Sequence, residues 1–102
     1  MAKRKYAVQL SERAQKDFKA IQRYTLKRYS EKQVLKYSKM IKSGIEHINE
    51  NPALYGHSRP DIPERYKSHQ VGEHSIIFRV DENKIFIVAI LHGSMDFRNQ
   101  LQ

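Results

Sequence analysis

Ile85-Phe86-Ile87-Val88-Ala89-Ile90-Leu91 is an unbroken apolar run that ends at His92 and Gly93. A membrane span needs about 20 such residues, so this stretch is too short to cross a bilayer. Its β-branched and aromatic content reads instead as a strand, Ile85 to His92, buried on both faces or nearly so. Two strands lead up to it. His74 to Val80 is separated from it by the turn Asp81-Glu82-Asn83-Lys84, and Tyr66 to Val71 precedes the turn Gly72-Glu73. Turns this short force antiparallel neighbours.

Upstream the period changes from two to three and four. Ala14, Phe18, Ile21 and Thr25 form an apolar stripe flanked by Tyr24 and Tyr29, with Lys16, Lys19, Arg23, Lys27 and Arg28 on the remainder. That is an amphipathic helix with Ser11 as N-cap and Glu12 facing the positive end of its dipole. Its end is expected near Tyr29. Ser30-Glu31-Lys32-Gln33 fits a capping box for a second helix, on which Val34, Tyr37, Ile41, Ile45 and Ile48 follow at helical spacing. Asn51-Pro52 stops it, since proline disfavours a helical residue before it. With almost no loop between them, the helices are expected to form an antiparallel hairpin. Tyr6 to Leu10 reads as a first strand, Pro52 to Glu64 as irregular chain, and Ser94 to Gln102 as a tail of one or two helical turns. The expectation is one α+β domain over residues 1–102, in the order β-α-α-β-β-β. The helical hairpin packs on a small antiparallel sheet.

Composition narrows the function. The chain has 102 residues and no cysteine, which removes disulfide frameworks, thiolate metal sites and cysteine nucleophiles. The net charge of +8 lies in the first half: residues 1–51 hold 13 Lys and Arg against 5 Asp and Glu, residues 52–102 hold 6 of each. A basic half suits nucleic acid or an acidic protein partner, and also fits a solvated helical face. Met1 to Lys5 is basic, but Tyr6 to Leu10 is too short and mixed for the apolar part of a secretion signal. A cytoplasmic protein is expected.

The five histidines show no metal-ligand spacing, and no glycine-rich phosphate loop or nucleophile elbow is present. No metal and no cofactor are expected. Metal-free RNA cleavage needs a base, an acid and cations for the crowded phosphate. Arg65, Lys67, Arg79 and His92 are the residue types for it. Strand parity places Arg79 on the opposite face from His74, Ile76, Phe78 and Val80, so these groups do not clearly converge. Arg79 paired with a carboxylate and His92 closing a strand are the structural alternatives.

Tyr6-x-Val8-x-Leu10-Ser11-x-x-Ala14-x-x-Asp17-x-x-x-Ile21-x-x-Tyr24 resembles the start of ParE-type toxins of the RelE/ParE superfamily. Asn51-Pro52-x-x-x-Gly56-x-x-Arg59-Pro60, Tyr66-Lys67-Ser68, His74-x-Ile76-Ile77-Phe78-Arg79-Val80 and Ile90-Leu91-His92-x-x-Met95-Asp96 extend the resemblance in order along nearly the whole chain. It implies the toxin of a two-gene toxin–antitoxin module that poisons DNA gyrase. A ParD-like antitoxin with an acidic, partly disordered tail would neutralise it. The resemblance implies neither catalysis nor sequence-specific nucleic-acid binding. The runner-up reading is a RelE-like, ribosome-dependent mRNA interferase. The nuclease branch tends to end in Tyr or His-Tyr after the last strand, whereas here Gly93 follows His92 and no tyrosine follows Tyr66. Lys67 stands where the family usually has Arg, which makes that contact less bidentate. The candidates for target contact are Arg59, Lys67, His74, Arg79, His92, Met95 and Asp96, and those for the antitoxin are Phe18, Ile21, Arg28 and Tyr37.

Overall fold

The computed structural model describes residues 6–93. The elements are β1 (Ala7–Leu10), α1 (Glu12–Arg28), α2 (Glu31–Glu50), α3 (Pro52–Tyr55), β2 (Lys67–Val71), β3 (His74–Asp81) and β4 (Lys84–His92). Both expected caps are formed. The Ser11 Oγ accepts from Ala14 N at 2.9 Å, and the Ser30 Oγ accepts from Gln33 N at 3.2 Å. Asn51 ends α2 and then caps α3, its side chain accepting from Leu54 N at 3.1 Å. The stretch expected to be irregular therefore begins with a turn of helix. Pro52 is tolerated there because the first turn needs no donor from it.

The sheet has the order β1-β4-β3-β2. The expectation of an antiparallel sheet holds for β2, β3 and β4, but β1 pairs with β4 in parallel. The connectivity explains this. The hairpin returns the chain to its starting end, so β2 runs in the direction of β1. Two reversals, at Gly72-Glu73 and Glu82-Asn83, then leave β4 in that same direction. Gly72 supplies a positive φ of 58° at the first reversal, where a side chain would be strained.

The unalternating run in β4 has two causes. Pairing slips between Ile77↔Ala89 and Phe78↔Ile87, so Val88 is an extra residue, a β-bulge. Ile85, Ile87 and Ile90 accordingly face the helices, beside Ile76, Phe78, Ala14, Ile41 and Ile48. Ala89 and Leu91 face the other way, where Ile62 and Tyr66 pack on them together with Ile77. The segment 57–66 is thus a cover for the second face. It is clamped by Arg59 to Asp61 at 2.8 and 2.6 Å, and His57 caps the outer edge of β2 through both backbone bonds to Ser68 at 2.9 Å.

The bulge is latched to the start of α1. Ser11 N donates to Ile87 O at 2.9 Å and Ser11 Oγ donates to Val88 O at 2.6 Å. From there α1 crosses β4 toward its His92 end, while α2 comes back along β2. Gly44 allows that close approach, since a Cβ there would lie 2.5 Å from Val71 Cγ2.

Candidate functional site

Where the hairpin reaches the end of the sheet it leaves a groove of about 460 Å³. Ile21 and Ile90 form its apolar floor, Tyr24, Tyr29 and Tyr37 its aromatic rim, and Asp17, Glu73, His74 and His92 its polar end. The helical stripe explains this placement. Ala14 and Thr25 are buried on the sheet, so residues about a quarter-turn round the helix from them, such as Tyr24, remain open. Tyr24 is 59% and Tyr29 64% exposed, so two aromatic rings stand open beside the groove. Arg28 stacks its guanidinium 5.7 Å from the Tyr24 ring centroid.

At the polar end, the Tyr37 hydroxyl is held by three groups. It accepts from Glu73 N at 3.1 Å and lies 3.2 Å from Val71 O and 2.7 Å from His74 Nδ1. A hydroxyl has one proton to give. With His74 neutral and its lone pair on Nδ1, Tyr37 donates to the ring. With His74 protonated, the ring donates and Tyr37 turns its proton to Val71 O. Burial holds the His74 pKa below its ordinary value, and the neighbouring His92 pushes it the same way, against the carboxylates of Glu73 and Asp17. Burial also raises the Tyr37 pKa. His92 Nε2 lies 3.4 Å from a Glu73 carboxylate oxygen, and its ring sits 5.4 Å from that of His74.

The target-contact candidates do not form one patch. His74 and His92, paired across β3 and β4, share the groove. Lys67 lies opposite Phe78, at the other end of the sheet, where its Nζ donates to Ser58 Oγ at 3.0 Å. Along the strands that is about 16 Å from His92, counting five residues from Ile87. Arg79 is on the opposite face, 4.9 Å above the Phe86 ring centroid and 3.4 Å from Asp81. Arg59 is bound up in its pair with Asp61. Met95 and Asp96 lie outside the described residues. Of the antitoxin candidates, Ile21 and Tyr37 line the groove, Arg28 borders it through Tyr24, and Phe18 packs against the core. Glu73 was legible only as a turn residue. Its place in the groove follows from the hairpin's return over the β2–β3 turn, which no local pattern encodes.

A second aromatic group lies where α2, α3 and β2 meet: His47 stacks on Tyr55 at 5.0 Å and both rings stand edge-on to His69. Burial lowers the His69 pKa, and His47 and His57 add to that. Among the described residues no three His, Cys, Asp or Glu side chains are grouped to hold a metal ion, and no helix is long and apolar enough to cross a membrane.

The family model described as ParE toxin of type II toxin–antitoxin system, parDE, matches residues 8–97, and the chain belongs to that family, within the RelE/ParE superfamily. Toxin ParE1 of Caulobacter vibrioides is 30% identical over 92 residues, covering 90% of this chain and 94% of that one. The chromosomal ParDE system from P. aeruginosa contains a chain that superposes with a TM-score of 0.75 at 18% identity, covering 88% of this chain and 98% of that one. The YoeB dimer from Staphylococcus aureus matches at a TM-score of 0.63 and 25% identity, over 86% of this chain and 97% of that one. RelBE2 from Mycobacterium tuberculosis shares the fold at a TM-score of 0.59 and 14% identity, over 85% and 96%.

Proposed function

We propose that this chain is the toxin of a two-gene module that inhibits DNA gyrase by binding it, in the cytoplasm, and that a ParD-like antitoxin silences it. The observation that carries the antitoxin part is the groove under the hairpin. It offers an apolar floor of Ile21 and Ile90 and a rim of exposed tyrosines, the kind of surface that takes the apolar face of a partner helix. The net charge of +8 favours an acidic tail and speeds its approach. Membership of the ParE family and the likeness to a chain of a ParDE system support the same partner.

A non-catalytic role is supported by the dispersion of the groups expected for RNA cleavage. General acid–base cleavage needs its groups within hydrogen-bond reach of one phosphate. Lys67, Arg79 and His92 lie at opposite ends or on opposite faces of the sheet, and Lys67 and Arg79 are engaged by neighbouring side chains. The test is expression in cells with and without the product of the neighbouring gene. The expected result is growth arrest with a DNA-damage response, relieved by the partner. Arrest with rapid mRNA decay and no DNA damage would replace gyrase inhibition by the RelE-like interferase reading.

A further inference from the structure

The face of the hairpin that looks away from the sheet is as distinctive as the groove beneath it. On α1, Lys16, Lys19, Arg23 and Lys27 fall within one stripe opposite the buried Ala14 and Thr25, at about 100° per residue. On α2, Lys32 and Lys39 fall opposite the buried Ile41 and Ile48 and Lys36 about 50° round from that line, Lys36 and Lys39 also bordering the hollow between α2 and β2. All of these cations are exposed, and none is engaged by the ion pairs found among the described residues. Gln22 Nε2 donates to Ser38 Oγ at 3.2 Å and ties the helices side by side, an arrangement in which helix axes typically lie about 8–10 Å apart.

Such an arrangement works against the helices. Lys19, Arg23 and Lys27 repel at successive steps of four, as do Lys32 and Lys36. The carboxylates on these stripes lie outside the rows: Glu12 comes four residues before Lys16, and Glu46 and Glu50 come after Lys39. A surface that accumulates like charge in this way fits a polyanion of regular charge spacing.

We infer that this outer face binds the phosphodiester backbone of duplex DNA without reading its sequence. The inference does not rest on gyrase as target. Two helices side by side are about 20 Å broad, against a major groove of about 12 Å, so the plate lies across the phosphates and cannot enter the groove. Base edges stay out of reach, and the contacts are to phosphate alone. The rival occupant is an acidic protein helix. Leu26 and Leu35, both more than half exposed, lie on the seam between the rows and would suit it.

The test is fluorescence anisotropy with the full chain and two 24-base-pair duplexes of unrelated sequence, over a range of salt. Equal affinity for both is expected, with log K falling against log salt at a slope of about −4 or steeper. The double variant R23E/K36E should bind at least tenfold more weakly at 0.15 M salt, with a slope shallower by about 2. R65E/K84E removes the same charge elsewhere on the exposed surface and should bind within twofold of the parent. Urea unfolding of each variant checks that the fold is intact, and the neutral pair R23Q/K36Q repeats the comparison with half the charge change. Equal losses in both double variants would overturn the proposal by reducing it to net charge. So would strong preference for one duplex, or no DNA binding alongside tight binding of an acidic leucine-bearing peptide.

Discussion

The carboxylate of Asp17 on α1 accepts a hydrogen bond from the backbone N–H of Ile90 on β4 at 2.9 Å. β1 ends at Leu10, opposite Ile87, so beyond that point the edge of β4 has no strand beside it. The N-cap and a side chain of α1 stand in: Ser11 takes the Val88 carbonyl and Asp17 takes the Ile90 N–H. Arg13 Nε donates to the other carboxylate oxygen at 2.8 Å and fixes the orientation. Ile90 is only 3% exposed, so Asp17 is the acceptor its N–H depends on.

Asp17→Ala should therefore lower stability by about 1–3 kcal/mol, the cost of orphaning a buried donor. Asp17→Asn should cost less, because the amide oxygen still accepts from Ile90. Urea unfolding midpoints at equal m-value measure both. Equal loss in the two variants would show that the ion pair with Arg13 carries the effect and the backbone bond does not.

Gly44 gives a sign that propensity alone reverses. In an exposed helix Gly→Ala stabilises by about 1 kcal/mol. Here the added Cβ would meet Val71 Cγ2 at 2.5 Å and Ile76 Cδ1 at 3.2 Å, and overpacking of this kind costs about 1–3 kcal/mol. Gly44→Ala should be destabilising. In the Val71→Ala background the same change should become neutral or favourable, since the clashing methyl is gone. A double-mutant cycle reads the coupling directly.

The depressed pKa values of His74 and His69 set a direction for pH. The fold prefers both rings neutral relative to an unfolded value near 6.5. Their contribution is fully present above that value and is lost as pH falls through 6.5 toward the lower folded values. Thermal midpoints should thus fall from pH 7.5 to pH 5. His74→Gln should flatten part of that fall, and His69→Gln another part.

The strands were legible because each is bounded by turn chemistry, and the helices because Ser11 and Ser30 mark their starts. Two features of the sheet were not. The parallel pairing of β1 depends on the direction in which the hairpin returns the chain, and the bulge at Val88 depends on contacts with Ser11, 77 residues away. The groove was half legible. Ile21 and Tyr37 belong to apolar stripes with a local period, whereas Glu73 and His92 come together through sheet register and Asp17 joins them through the packing of α1 across β4. Parity did separate Arg79 from the His74 face, and the structure keeps them apart.

The rim of the groove should carry antitoxin affinity. Truncating Tyr24 or Tyr29 to Ala, both exposed and outside the core, should weaken binding of the neighbouring-gene product by tenfold or more, the loss an aromatic hot spot gives. Arg79→Ala on the opposite face should leave that affinity unchanged. Calorimetric titration measures all three variants. A loss confined to Arg79→Ala would move the antitoxin to the other face of the sheet.

The most direct measurement is DNA supercoiling by purified gyrase with increasing amounts of this chain, beside translating ribosomes given the same amounts. Gyrase inhibition by this chain requires that supercoiling falls, that stoichiometric antitoxin restores it, and that ribosome-bound mRNA stays intact. Undiminished supercoiling, with codon-dependent mRNA cuts that vanish in a His92→Ala variant, would contradict it.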